Sequence, residues 1–81
     1  MSGMVANKPF AEKDLATLVK SFRKQAKASR AQAARDMQVS QTSIFNAEES
    51  PTQSLSKLRM RMIEKYSPYQ VVGPVYLLKR K

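Results

Sequence analysis

The chain has 81 residues, enough for one small domain, and its 42% hydrophobic and 26% charged residues are typical of a folded protein. A total of 15 Lys and Arg against 6 Asp and Glu gives a net charge of +9, which favours an anionic partner, nucleic acid first and an anionic membrane surface second. The absence of Cys and His excludes disulfides, thiol chemistry and the commonest general base, so we predict no enzyme, no metal and no cofactor.

The sequence also argues against a membrane location. No apolar run approaches the roughly 18–20 residues that a membrane-spanning helix needs. The first ten residues lack the basic start and the apolar core of a signal peptide. We therefore predict a cytoplasmic protein with no membrane partner.

The first predicted element is a helix. Residues 1–8 are small, polar and unpatterned, and we predict a flexible tail there. A helical period then covers about residues 9–26, with cationic side chains on the outer face. Its apolar positions fall within about 100° of arc and predict one buried stripe. This stripe consists of Ala11, Leu15, Leu18, Val19, Phe22 and Ala26.

Two short helices are predicted next. Ser29 and Gln32 have the spacing of a capping box, in which Ser29 caps the Gln32 N–H and the Gln32 side chain bonds back. This second helix is predicted to end near Met37. Val39 is an apolar residue in a tight turn, which predicts a core contact, and Ser40 is a good N-cap for the next helix.

The third helix, over about residues 41–48, has an uncharged polar outer face, which is unusual in a chain of net charge +9. Gln and Asn bind base edges in the major groove, and Ser and Thr bind bases or phosphates. Gln41, Thr42, Phe45 and Asn46 occupy the positions that a recognition helix presents to the groove, so we predict base contacts for them. For Gln41, Thr42 and Asn46 the alternative is a solvated helix face. For Phe45 the sequence leaves open contact with a thymine methyl group or a sugar, or packing into a neighbouring domain surface.

A fourth helix is predicted over about residues 55–66, with Ser54 as its N-cap. Its apolar stripe consists of Leu55, Leu58, Met62, Ile63 and Tyr66. Ser67 and Pro68 end this helix.

The last segment, residues 67–81, is predicted to be extended, because it is rich in β-branched and aromatic residues. We favour an interpretation in which strands of two protomers pair as an antiparallel ribbon and form a homodimer. The residues of that dimer contact are Val71, Val72, Val75, Tyr76, Leu77 and Leu78. In the other interpretation, the segment covers the chain's own helices or binds a separate protein.

Six residues in the middle of the chain hold the positions of one recurring pattern: Ala34, Met37, Val39, Ser40, Ile44 and Glu48. Through them the run from Ser29 to Ser50 resembles the helix-turn-helix of the phage repressor and Cro-like (xenobiotic-response-element) regulators. With the flanking helices, the resemblance covers about residues 9–66. It implies an all-α, lambda-repressor-like bundle of four or five helices with a C-terminal strand or extended tail, which binds operator DNA as a dimer.

The chain departs from that family pattern at four positions. Gln38 and Ser50 stand where the family has glycines, which is tolerable if the backbone avoids positive φ or the polar residue accepts that strain. Ala33 stands where a bulkier Leu is common. Arg30 replaces a frequent Gln, which shifts that position towards a phosphate contact.

The resemblance also indicates where phosphates pass. We predict phosphate contacts from Lys24, Lys27, Arg30, Ser40 and Ser43. The predicted function is sequence-specific binding of double-stranded DNA by a small, repressor-type transcriptional regulator, with half-sites about 10 bp apart for a dimer. The alternative is an antitoxin-type module that neutralises a toxin-like partner protein through its C-terminal segment and autoregulates by binding DNA.

Overall fold

The computed structural model describes residues 11–72 and 77–81, in which four helices precede a two-stranded antiparallel sheet. The elements are α1 (Glu12–Gln25), α2 (Arg30–Met37), α3 (Gln41–Glu49), α4 (Ser56–Tyr66), β1 (Tyr69–Val72) and β2 (Leu77–Arg80). All four predicted helices are confirmed, and the mostly helical chain is compatible with a small all-α fold. The predicted N-terminal tail lies outside the described residues.

One apolar core joins the helices to the strands. It consists of Leu15, Val19, Ala33, Ala34, Met37, Ile44, Ala47, Leu58, Met62, Ile63, Val71 and Leu78. The predicted stripe of the first helix is wrong at both ends, because Ala11 and Ala26 lie just outside α1 and are exposed. Val39 is half-buried and packs against the core, as its place in the turn predicts.

The start of α2 confirms half of the predicted capping box. The Ser29 hydroxyl accepts a hydrogen bond from the Gln32 N–H at 3.0 Å. The predicted return bond from Gln32 is wrong, because its side chain donates to Asp36 at 2.8 Å and accepts from Arg35 at 2.8 Å. Partners three and four residues further along α2 therefore compete successfully for the Gln32 amide.

The predicted cap of the fourth helix is also wrong. Leu55, with φ −136° and ψ 38°, occupies the N-cap position, so α4 begins one residue later than predicted. Ser54 therefore precedes the N-cap position and is exposed. The Leu55 carbonyl accepts the first helical bond of α4 from the Arg59 N–H at 3.0 Å.

A left-handed residue follows both α1 and α2: these residues are Lys27 and Gln38, each with φ 60°. After α2, the Val39 N–H donates to the Ala34 carbonyl at 3.0 Å, and an equivalent bond closes α1. This is the Schellman pattern, which glycine normally completes. Gln38 therefore accepts the positive φ at the position where the resembling family has glycine.

The C-terminal strands form a hairpin within the chain. β1 pairs antiparallel with β2, and Val71 lies opposite Leu78. Val71 is 7% exposed and Leu78 is fully buried, so both belong to the chain's own core. β1 packs against α4, and the rings of Phe22 and Tyr69 lie 6.0 Å apart.

This hairpin bears on the predicted dimer contact. Val71 and Leu78 pair with each other and cover the chain's own helices, which is the arrangement of the second interpretation. Val72 and Leu77 form the next pair of the ladder, and Val75 and Tyr76 lie outside the described residues. Pairing of two protomers through this segment stays a prediction.

Candidate nucleic-acid interface

Two capped helices and a short turn make up the candidate site. Ala33, Ala34 and Met37 of α2 are buried, and the small alanines let α3 approach closely. The predicted cap of α3 is confirmed, because the Ser40 hydroxyl accepts from the Ser43 N–H at 3.1 Å. Ser40 therefore determines where α3 begins.

The inner face of α3 determines which side chains point outward. Ile44 and Ala47 are fully buried, as predicted. Gln41 and Thr42 are exposed on the first turn of the helix. Phe45 is 47% exposed, and Asn46 is half-buried. Three of the four predicted base-contact residues therefore lie on the exposed face of α3. Asn46 lies where this exposed face meets the buried face.

A shallow open groove crosses the beginning of α3. Gln41, Thr42 and Phe45 line it from α3, and Arg30 lines it from the first position of α2. The groove therefore combines an amide, a hydroxyl, an aromatic ring and a guanidinium. This combination of side chains suits the edge of a base pair that presents both hydrogen-bonding groups and apolar surface.

A buried carboxylate holds three helices together beneath this surface. The Glu48 side chain is fully buried, and it forms a bidentate ion pair with Arg23 of α1. It also accepts from Arg30 Nε at 3.0 Å. Arg23 donates in addition to the Ala28 carbonyl at 2.7 Å, before α2 begins. Glu48 therefore joins the ends of α1 and α3 to the start of α2.

An exposed continuation of this network reaches Glu49. Its carboxylate accepts from Lys20 Nζ at 2.6 Å and from Arg30 Nη2 at 2.8 Å. The hydrogen bond from Lys20 and the positive charges of Lys20 and Arg30 lower the pKa of Glu49. Arg30, predicted as a phosphate contact, is thus already engaged with two carboxylates.

Two arginines of α4 support the helix pair, and the sequence pattern did not single them out. Arg59 is fully buried and donates to the carbonyls of Ala47, Ser50 and Gln53 at 3.0, 2.7 and 2.8 Å. Arg61 donates to the Met37 carbonyl, at the end of α2, at 3.1 Å. One sequence signal was present for Arg59, because it falls within the apolar stripe of the fourth helix.

Tyr66 adds a second link between α4 and α2, beside that of Arg61. Its hydroxyl donates to Asp36 at 2.7 Å, and the Gln32 amide donates to the same carboxylate. These two hydrogen bonds lower the pKa of Asp36. Burial, and then the hydrogen bond to Asp36, raises the pKa of Tyr66.

The remaining predicted phosphate contacts lie beside the helix pair. Lys24 and Lys27 are exposed at the end of α1. Ser40 is exposed and Ser43 is half-buried, and their hydroxyls lie 3.1 Å apart. Both hydroxyls are therefore part of the hydrogen bonding at the start of α3.

Within the described residues, two further kinds of site are absent: a metal-binding cluster and a membrane-spanning helix. In residues 11–72 and 77–81, no cluster of three or more His, Cys, Asp or Glu side chains is placed to bind a metal ion. Over the same residues, no helix has both the length and the apolar character to cross a bilayer. Comparisons with protein-family models, curated proteins and solved structures find no match for this chain.

Proposed function

We propose that the chain binds double-stranded DNA in a sequence-specific manner, as a small repressor-type transcriptional regulator, with α3 in the major groove. The observation that carries this proposal is the division of α3 into two faces. One face is buried and contains Ile44 and Ala47. The other face is exposed, and on the first turn of α3 it presents the uncharged hydrogen-bonding groups of Gln41 and Thr42. Side chains of these types distinguish base pairs in the major groove.

Charge and connectivity support the same proposal. The net charge of +9 gives the non-specific attraction that DNA binding needs, and Lys24 and Lys27 are exposed at the end of α1, in the segment that leads to α2. The capped pair of α2 and α3 also has the form of the helix-turn-helix that the run Ser29–Ser50 resembles. We therefore extend the proposal to that class of regulators, with α2 across the DNA backbone.

We also propose a homodimer on a two-fold operator. Within the described residues the sheet has only two strands, and the N–H groups of Tyr69 and Val71 in β1 donate to Ser67 and Glu64, so the outer edge of β2 is the one offered to a second chain. Strand edges pair readily with a second chain. The antitoxin-type alternative has less support, since Val71 and Leu78 of the C-terminal segment are buried in the chain's own core.

Selection of bound duplexes from a random pool, followed by affinity measurements on the selected site and on scrambled DNA, tests the proposal. Gln41→Ala or Asn46→Ala should weaken binding to the selected site by about 1–3 kcal/mol, with little change on scrambled DNA. Gln53→Ala is the matched control, because Gln53 is an exposed glutamine outside α3. Equal losses for the variants of α3 and for the control would refute the placement of α3 in the groove.

A further inference from the structure

Arg30 lies between two carboxylates and an aromatic ring. Its Nε donates to Glu48 at 3.0 Å and its Nη2 donates to Glu49 at 2.8 Å. Its guanidinium carbon lies 5.0 Å from the centre of the Phe45 ring, within the range of a cation–π contact. Because the planar guanidinium makes these contacts together, its orientation over the ring is determined by α3 itself.

The contact has a consequence for Phe45. This ring is 47% exposed, and an exposed aromatic side chain on a helix ordinarily exchanges rotamers freely. The contact with the Arg30 guanidinium favours the rotamer that places the Phe45 ring beside it, without any ligand. A ligand that packs against a restrained ring loses less affinity to side-chain ordering.

The neighbours of Phe45 indicate which chemical group fits there. Gln41 and Thr42 precede Phe45 by four and three residues on α3, so their side chains are adjacent to it on the helix surface. All three line the groove that Arg30 borders. The groove thus offers apolar contact from the ring and hydrogen bonds from the amide and the hydroxyl. In the major groove, a pyrimidine with a 5-methyl group presents the matching edge.

We propose that this groove binds the 5-methyl group of a pyrimidine base, and that Arg30 is a positioning residue that holds Phe45 in place. This inference rests on the proposed binding of DNA. Thymine and 5-methylcytosine carry the same methyl group, so the groove accepts either. In this proposal Arg30 acts by holding Phe45 and not by binding a phosphate, since its Nε and Nη2 groups bond Glu48 and Glu49.

Duplexes that differ by one methyl group test the inference. In the selected site, each thymine is replaced in turn by deoxyuridine, and each cytosine by 5-methylcytosine. For the unmodified protein we expect about a fourfold affinity difference at one position, the effect of burying one methyl group. A loss with deoxyuridine identifies thymine as the source of the methyl group, and a gain with 5-methylcytosine identifies the modified base.

Variants of Arg30 separate positioning from phosphate binding. Arg30→Lys keeps the charge but not the two-pronged contact with Glu48 and Glu49, so we expect the methyl effect to disappear. Arg30→Gln should remove the methyl effect and leave the dependence of log affinity on log salt unchanged. Lys24→Gln is the matched control, since loss of a phosphate contact lowers that salt slope by about one and keeps the methyl effect.

Phe45→Ala provides a second test that does not depend on the ion pairs. The ring is exposed, so this variant is expected to fold, and it should show no methyl effect. The inference is overturned if Arg30→Lys keeps the methyl effect while Arg30→Gln lowers the salt slope by about one. It is also overturned, with the proposed function intact, if the protein binds its selected site specifically and no methyl substitution changes affinity. If no duplex is selected over scrambled DNA, the proposed function fails and the inference fails with it.

Discussion

Gln38 holds a left-handed backbone conformation, with φ 60° and ψ 46°, directly before the turn into α3. For a residue with a Cβ atom this conformation costs about 1–2 kcal/mol, and glycine avoids the cost. The conformation of Gln38 therefore destabilises the folded chain at the position that orients the proposed recognition helix. The sequence identified this position, but only the backbone shows that Gln38 adopts the strained conformation.

Gln38→Gly should stabilise the folded chain by about 0.5–1 kcal/mol, because relief of the strain exceeds the added freedom of glycine in the unfolded chain. Urea denaturation followed by circular dichroism measures the change. Gln38→Val is the opposed control and should destabilise the chain, because a β-branched residue tolerates positive φ poorly. A loss of stability with Gln38→Gly would contradict this account of the turn.

Arg59 shows that a buried position in an apolar stripe can be occupied by a charged residue. It lies on the buried stripe of α4, yet its guanidinium is fully buried and bonds three carbonyls from the end of α3 and the loop that follows. The carbonyls of Ala47 and Ser50 lie at the end of α3, where helical partners are missing. An arginine can therefore occupy a core position when the end of a neighbouring helix supplies its acceptors.

At the scale of elements, Glu48 is the residue that holds α1, α2 and α3 in register. Its carboxylate is fully buried and pairs with Arg23, whose side chain is 8% exposed, and with Arg30. A buried ion pair is costly to break on one side only, because the remaining charge stays buried without compensation. The orientation of α3 against α1 therefore depends on this carboxylate.

Glu48→Gln should lower the free energy of unfolding by about 3–5 kcal/mol, because it leaves the Arg23 charge buried without its counter-charge. Urea denaturation measures this loss. Lys20→Ala is the matched control, since it breaks an ion pair to Glu49 whose side chains are 36% and 33% exposed. Such an exposed pair contributes at most about 1 kcal/mol. Equal effects of the two substitutions would show that burial does not strengthen the Glu48 network.

For the whole molecule, the balance of charge predicts sensitivity to acid. The pKa values of Asp36 and Glu49 lie below their ordinary values of 3.8 and 4.5 in the folded chain. The unfolded chain therefore binds more protons in this range, so stability is fully present at neutral pH and falls as the pH decreases below about 4.5 through the lowered folded values. Loss of carboxylate charge also increases the self-repulsion of 15 Lys and Arg residues.

The urea midpoint measured from pH 7 down to pH 2 checks this prediction. Tyr66→Phe isolates the contribution of Asp36, because the Tyr66 hydroxyl is the largest cause of its lowered pKa. The variant should be less stable than the unmodified chain at neutral pH, and the two should converge in strong acid. A constant difference over the whole range would contradict a role for this hydrogen bond in the acid response.

Local chemistry explains which structural predictions succeed. Ser29 and Ser40 cap their helices through bonds to the residue three positions later, so both helix starts follow from short-range spacing. Ser54 fails as a cap because the backbone of Leu55 shifts the start of α4. Gln32 fails to bond back because Asp36 and Arg35 lie within its reach on α2.

The sequence alone determined the four helices, the short turn between α2 and α3, and the polar character of α3, because helical period and capping depend on residues a few positions apart. Only the tertiary structure decided which charges are buried. Arg23 and Glu48 meet across 25 positions of the chain, and Arg59 meets the end of α3 across 12 and 9 positions. The pairing of β1 with β2 was also decided by the tertiary structure. Strand partners are chosen by packing against the helices and not by the composition of the strands.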